Sequence, residues 1–195
     1  SVALFEQILE SIPTLTSIRL LGLGEVFLHP QIETLLTMLK ARSIKIWIIT
    51  NGSLLRDEKI RHLIHTYIYY VGISIDSTEV EEFARLRPMG KIGLPEVLDG
   101  ARQLIAERNQ GHSDIIIGVC GTTTHDNAHD LPSLGSLCID LGVDYLSIGF
   151  IENWLMKGDP GHQETSDRIH AEMQYLPEIH RSLRFQQLRL LLNGI

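Results

Sequence analysis

The feature that most constrains this chain is a repeated switch of hydrophobic period. Five short runs rich in Ile, Val and Leu read as strands: Ser17–Leu21, Lys45–Thr50, Tyr69–Ile75, Asp114–Cys120 and Tyr145–Phe150. Between them, Gln31–Ala41, Leu54–Tyr67, Pro95–Asn109 and Leu131–Leu141 carry apolar residues at helical spacing, and another helix, Val2–Ile12, precedes the first strand. Nearly continuous apolar strands belong to parallel sheets covered on both faces. Strict β–α alternation predicts one parallel sheet with right-handed crossovers, as a barrel or an open doubly wound sheet. After a turn at Asp159-Pro160-Gly161, His162–Leu176 reads as a helix, and Arg184–Leu192 fits a sixth strand or another helix equally well.

Composition narrows the function classes. With 195 residues, 44% of them hydrophobic, the chain can bury a sizeable core. It has no apolar run long enough to span a membrane and no basic-then-apolar leader. A net charge of −7 argues against a nucleic-acid partner. The two cysteines, Cys120 and Cys138, form no disulfide framework and no Cys-X-X-Cys pair. They read as buried reduced thiols and imply a cytoplasmic protein.

In either arrangement function gathers where strands meet the loops that follow them. The first strand runs into Gly22-Leu23-Gly24-Glu25, the second ends on Thr50-Asn51-Gly52-Ser53, and the third on Ser74-Ile75-Asp76. The fourth delivers Gly121 and a hydroxyl run, Thr122-Thr123-Thr124, and the fifth Gly149 with Glu152 and Asn153 beyond it. Small and polar groups at one edge suit a polar ligand approached by backbone as well as side chains. Each also has a plain reading. Glu25 favours a helix N-terminus, Asn51-Gly52 makes a turn, and Ser53 caps the helix from Leu54. His62 with His65, and His125 with His129, stand at helical spacing, but no third ligand is evident and solvated faces explain both pairs. No metal site follows from them. Gly22-X-Gly24 lacks the third glycine of a dinucleotide fingerprint, since Phe27 stands there.

The segments "GLGEVFLHP", "ITNGSLL", "VGISIDS", Arg87 within "RLRPMGKIGLPEVLDGARQL", and "LGVDYLSIGF" together resemble, in order and spacing, the core of radical S-adenosylmethionine (radical SAM) enzymes, over about Val2 to Phe150. The resemblance implies a partial (β/α)6 barrel of the TIM type. It also implies a [4Fe–4S] cluster on a CxxxCxxC loop after the family's first strand, and reductive cleavage of S-adenosylmethionine to a 5′-deoxyadenosyl radical. By position, Gly24 and Glu25 match the end of the Gly-Gly-Glu motif that receives the cofactor's amino group. Ser74 and Asp76 match the strand end facing its carboxylate and ribose, and Arg87 a basic residue for that carboxylate. Thr50 and Asn51 match a strand end lining the cofactor and substrate cavity. Leu23 replaces the first glycine of the motif, Val26 replaces a common proline, and CxxxCxxC is absent. The family's first strand, its cluster loop and the cysteines are therefore expected upstream of Ser1.

On this reading residues 1–160 form the core, and 161–195 are the barrel's last helix and strand or the start of a C-terminal extension. The expected activity is radical modification of a peptide or small polar metabolite, with an electron donor such as flavodoxin or ferredoxin. Two other classes remain open: a non-radical hydrolase or lyase using Glu25, Asp76 and a histidine, and a degenerate barrel serving as a binding module.

Overall fold

The structure is a computed structural model that describes residues 1–22, 24–87, 92–124, 127–150 and 189–193. Six strands, β1 (Ser17–Leu20), β2 (Lys45–Thr50), β3 (Tyr70–Ser74), β4 (Ile116–Thr123), β5 (Tyr145–Phe150) and β6 (Arg189–Asn193), form one sheet in chain order. Every pairing is parallel, with Ser17 opposite Lys45, Trp47 opposite Tyr70, Tyr70 opposite Ile116, Gly118 opposite Tyr145 and Tyr145 opposite Arg189. The expected α/β, partial TIM-type barrel is the observed architecture. The tail alternative resolves to a strand over Arg189–Asn193; Glu152, Asn153, the turn at 159–161, the helix expected at His162–Leu176 and residues 184–188 lie outside the described residues.

The helices are α1 (Val2–Ser11), α2 (Ile32–Ala41), α3 (Glu58–Tyr67), α4 (Val80–Leu86), α5 (Leu94–Asn109) and α6 (Leu131–Leu141). They cover the outer face of the sheet, where Ile46, Ile48, Val71, Ile73, Ile117, Val119, Leu146 and Ile148 pack against Leu36, Leu39, Leu63, Ile64, Leu104 and Cys138 in one core. Side chains alternate along a strand, so Trp47, Tyr70, Cys120, Tyr145 and Ser147 face the other way, into the barrel.

Some element limits differ from the sequence reading. Helix α3 starts at Glu58 rather than Leu54, because Asp57 is the cap: its carboxylate accepts from Lys59 N at 2.9 Å. Ser53 instead closes a turn, donating its N–H to Asn51 Oδ1 at 2.9 Å. The intervening Leu55 is fully buried beside Gly100, where a Cβ would stand 2.6 Å from it. Strand β4 begins two residues later than expected and runs through Thr123. Helix α4 has no counterpart in the sequence reading; at seven residues its pattern is too short to stand out.

Candidate active site at the strand ends

Strand β1 stops at Leu20, and the chain reaches Glu25 through an open, glycine-bearing loop. Glu25 is no exposed loop charge. It is only 8% exposed, its Oε2 accepts the Thr50 hydroxyl at 2.9 Å and the Asn51 N–H at 2.8 Å, and its Oε1 accepts the Phe27 N–H at 3.3 Å. Thr50, 1% exposed, also accepts the Gly52 N–H at 3.1 Å. Thr50 therefore holds the carboxylate from behind rather than lining a cavity.

A second knot forms at the end of β3. Arg87, just past α4, donates from Nη2 to Ser74 O at 2.7 Å, to Ser74 Oγ at 2.8 Å and to Asp76 Oδ2 at 2.8 Å. Its Nε reaches the same Asp76 oxygen at 3.2 Å, and its Nη1 reaches Asn51 O at 3.3 Å. The guanidinium lies over the buried Phe83 ring, 4.5 Å from its centroid. Asp76 Oδ1 accepts the Thr122 N–H of β4 at 2.8 Å. Glu25, Thr50, Asn51, Ser74, Asp76 and Arg87 thus belong to one hydrogen-bonded rim spanning the loop after β1 and the ends of β2, β3 and β4. The guanidinium offered by sequence as a cation for a ligand carboxylate is bound to Asp76 and Ser74, so its first role is to hold the rim together.

Sequence reasoning missed Asn127. This residue, 3% exposed, donates to Asp76 O at 2.7 Å and Thr122 O at 2.9 Å, and accepts the Thr124 N–H at 2.7 Å. It ties the β3 end to the β4 end; a buried asparagine in "THDNAHD" was the available signal. Asp130 does similar work nearby, taking the Ser77 hydroxyl at 2.8 Å and the Thr78 N–H.

An open groove of about 360 Å³ runs along β1, lined by Arg19, Leu21, Gly22, Gly24, Glu25 and Ile49 among others. Of the six rim residues only Glu25 lines it. A Cβ built at Gly22 or Gly24 would meet nothing within 4 Å, and neither residue has positive φ. Among the described residues no packing contact accounts for their lack of a side chain, which leaves the loop backbone accessible from the groove.

A second, smaller cavity, of about 90 Å³, shares Arg19, Leu21 and Ile49 with the first and is floored by aromatic rings. Trp47 stacks on Tyr70 at 4.2 Å and Tyr70 on Tyr145 at 4.3 Å, with Arg19 over Trp47 at 5.1 Å. The Tyr145 ring lies flat against Gly118, where a Cβ would come within 2.1 Å of it. Burial pushes the Cys120 thiol up to about 11, and its Sγ lies 4.0 Å from Tyr145 Oη. Cys138, fully buried, is pushed further in the same direction, again by burial. The chain has two cysteines, one on β4 and one on α6, too few for the four-thiolate or three-thiolate set of an iron–sulfur cluster, so the residues present fit no such cluster. They do fit the polar end of an amino-acid-bearing cofactor, with open backbone beside a fixed carboxylate.

Among the histidines, the solvated reading fails for His65. Its side chain is 7% exposed and lies against Glu107 rather than His62. His129 is partly exposed, 3.7 Å from Glu79, and His125 lies outside the described residues. No helix among the described residues is long and apolar enough to cross a membrane.

The radical SAM superfamily model matches residues 4–131, more than half of the chain. A curated relative, the tungsten-containing aldehyde ferredoxin oxidoreductase cofactor-modifying protein of Pyrococcus furiosus, is 30% identical over 140 residues, covering 71% of this chain and 39% of the relative. Streptococcus suis SuiB, solved with S-adenosylmethionine, superposes with a TM-score of 0.74 at 18% identity, covering 97% of this chain and 41% of SuiB; SuiB bound to its precursor peptide SuiA gives 0.73. Native anSMEcpe with bound AdoMet gives 0.68 at 14% identity, over 97% of this chain and 54% of that one, and it has also been solved with the Kp18Cys peptide. These structures share the fold, and the chain spans well under two thirds of each relative. The order of the strands, the rim at their ends and the family match lead to one identification: the chain belongs to the radical SAM superfamily.

Proposed function

We propose that this chain is the core of a radical SAM enzyme that binds S-adenosylmethionine along the C-terminal edge of its sheet and modifies a peptide. The observation that carries this reading is Gly24 beside Glu25: accessible backbone next to a carboxylate immobilised by hydrogen bonds from β2 and its own loop. Loop carbonyls and the carboxylate suit an ammonium group. Ser74, Asp76 and Arg87, joined to Glu25 through Asn51 along the rim, would meet the carboxylate and ribose where the cofactor extends past the groove. Glu25 keeps unfilled acceptor capacity, since a carboxylate offers about four lone-pair positions. Asp76 holds Arg87 rigid, so this part of the rim is preorganised before a ligand arrives. Gly24, Glu25, Asn51, Ser74, Asp76 and Arg87 would hold S-adenosylmethionine, which would supply radical chemistry at its 5′ carbon. With neither cysteine fitting a cluster, this reading places the cluster ligands outside this sequence, in a segment upstream of Ser1. Residues 1–160 are the core and 161–195 its last elements or the start of an extension.

The peptide-bound forms of SuiB and anSMEcpe support a peptide substrate. The name of the Pyrococcus relative, a cofactor-modifying protein, supports a small polar metabolite as the second reading. A flavodoxin or ferredoxin would supply the electron. The two free thiols, Cys138 buried and Cys120 partly so, suit a cytoplasmic protein.

The test uses Gly24→Val in the full-length, cluster-loaded protein. Because a Cβ there meets nothing, the substitution should leave the melting temperature unchanged while weakening S-adenosylmethionine binding in calorimetry. Unchanged affinity, or no binding by the parent protein, overturns the reading.

A further inference from the structure

We propose that His65, Glu107 and His112 form a binding site for a divalent transition-metal ion, Zn²⁺ by its donor set, on the outer helical layer away from the strand ends. Each residue offers one ligand atom, and these atoms all lie within 4.8 Å of one another.

The site is built by the way α5 ends. Gly111, with φ +89°, donates to Arg108 O at 2.9 Å, and His112 N donates to Glu107 O at 3.3 Å. This pair of bonds defines a Schellman turn, which brings together the side chains at the two positions joined by the outer bond. Helix α6 ends on the same turn: Gly142, with φ +74°, donates to Ile139 O at 2.9 Å and Val143 N to Cys138 O at 3.2 Å. There the two positions hold buried Cys138 and Val143, the apolar pairing usual for the turn. In α5 the equivalent positions hold Glu107 and His112. Two ligand-type side chains therefore sit where a hydrophobic contact is expected, and the third, His65, arrives from α3.

The surroundings orient these groups. His65 Nε2 faces Glu107 Oε2 at 3.1 Å, while its Nδ1 lies 2.7 Å from Ser113 Oγ. A hydrogen-bonded second ring nitrogen is the usual outer partner of a metal-binding histidine. Glu107 Oε1 accepts from Arg61 Nε at 2.8 Å, and Arg61 is anchored in turn by Leu55 O at 2.9 Å. One carboxylate oxygen is therefore occupied and the other is turned towards His65. His112 is exposed, which gives an ion its entry path. Two imidazoles and one carboxylate oxygen leave a fourth tetrahedral position for water. The nearby Arg61 charge opposes a cation, so the expected affinity is micromolar rather than that of a closed structural site. The bound ion would clip α3 to the turn leading into β4.

The experiment takes the full chain, freed of metal with a chelator, and titrates it with Zn²⁺ by calorimetry and with Co²⁺ by visible absorption. One Zn²⁺ should bind per chain and raise the melting temperature. His112→Ala, at an exposed position, should keep the fold and weaken binding by more than about tenfold. His62→Ala, on the exposed side of α3, should bind as the parent does. Absence of saturable binding below millimolar Zn²⁺, or undiminished binding by His112→Ala, overturns the proposal. In the latter case the cluster is only an ordinary hydrogen bond between His65 and Glu107.

Discussion

Glu25→Gln tests whether the rim is structural as well as ligand-facing. In the parent protein the 8%-exposed carboxylate takes the Thr50 hydroxyl at 2.9 Å and the Asn51 N–H at 2.8 Å on one oxygen. Glutamine can keep an oxygen there, but its amide nitrogen must then face the Phe27 N–H, donor against donor. A hydrogen bond to a charged group is worth about 1.5–3 kcal/mol and a neutral one about 0.5–1.5. Asn51 is itself solvent-exposed and water relieves part of its loss, so weakening the two bonds amounts to about 2 kcal/mol. For a chain of this size that is a fall of about 4–8 °C in melting temperature, or about 1 M in the urea midpoint at a slope near 2 kcal/mol/M. Urea unfolding followed by circular dichroism measures it directly. Thr50→Val alone and combined with Glu25→Gln closes a double-mutant cycle, whose coupling should exceed about 0.5 kcal/mol. A loss under about 0.5 kcal/mol with an additive cycle refutes the argument, and Glu25 is then only a turn residue with a ligand role at most.

Three further outcomes follow from the same geometry. Gly118→Ala should lower unfolding stability by about 1–3 kcal/mol, since its Cβ would enter the Tyr145 ring; near-UV circular dichroism should show the stack of Trp47, Tyr70 and Tyr145 disturbed. Asn127→Ala should lose about 1–3 kcal/mol, by leaving the Asp76 and Thr122 carbonyls without their donor, and hydrogen exchange at Thr124 N should speed up because its acceptor is gone. Cys120 should resist thiol reagents at pH 8 in the folded protein and react in denaturant. Its thiol is held at about 11 when folded against 9.0 when free, so the unfolded chain releases its proton first. The stability due to this group is full below pH 9 and is lost as pH rises toward 11, at up to about 1.4 kcal/mol per pH unit. A Cys120→Ser variant should lack that alkaline loss.

The strands were legible because parallel strands bury nearly continuous apolar runs, broken between Lys45–Thr50 and Tyr145–Phe150 only by small residues such as Gly72, Gly118, Ser147 and Gly149 and by the polar residues at strand ends. The polar residues at their ends were legible for the same reason, as breaks in that pattern. Their roles within the rim were not, because partners such as Thr122 N and Asn127 lie 46 and 51 residues from Asp76. Thr50 looked like a cavity residue and is a buried support; Arg87 looked like a free cation and is a brace. Ser53 looked like a cap, but Asp57 four residues on competes better with its charge at the helix N-terminus. His65 shows the same limit: i, i+3 spacing pointed to His62, while burial and a turn elsewhere in the chain gave it Glu107 and His112.

A sheet whose spatial order equals its order along the chain also shapes how the protein folds. Each strand docks beside its predecessor, so no pairing waits for a distant segment to arrive. The loop that pairs Trp47 with Tyr70 is about half as long as the one that pairs Tyr70 with Ile116, and halving a loop saves about 0.6 kcal/mol of closure entropy. The β1–β2 and β4–β5 loops are nearly as short, so assembly should start within β1–β2–β3 and within β4–β5, with the longer β3–β4 closure joining the two. The loop bearing Gly24 and Glu25 is tied by the Glu25 carboxylate to Thr50 and Asn51, so its shape is set as soon as the end of β2 is in place.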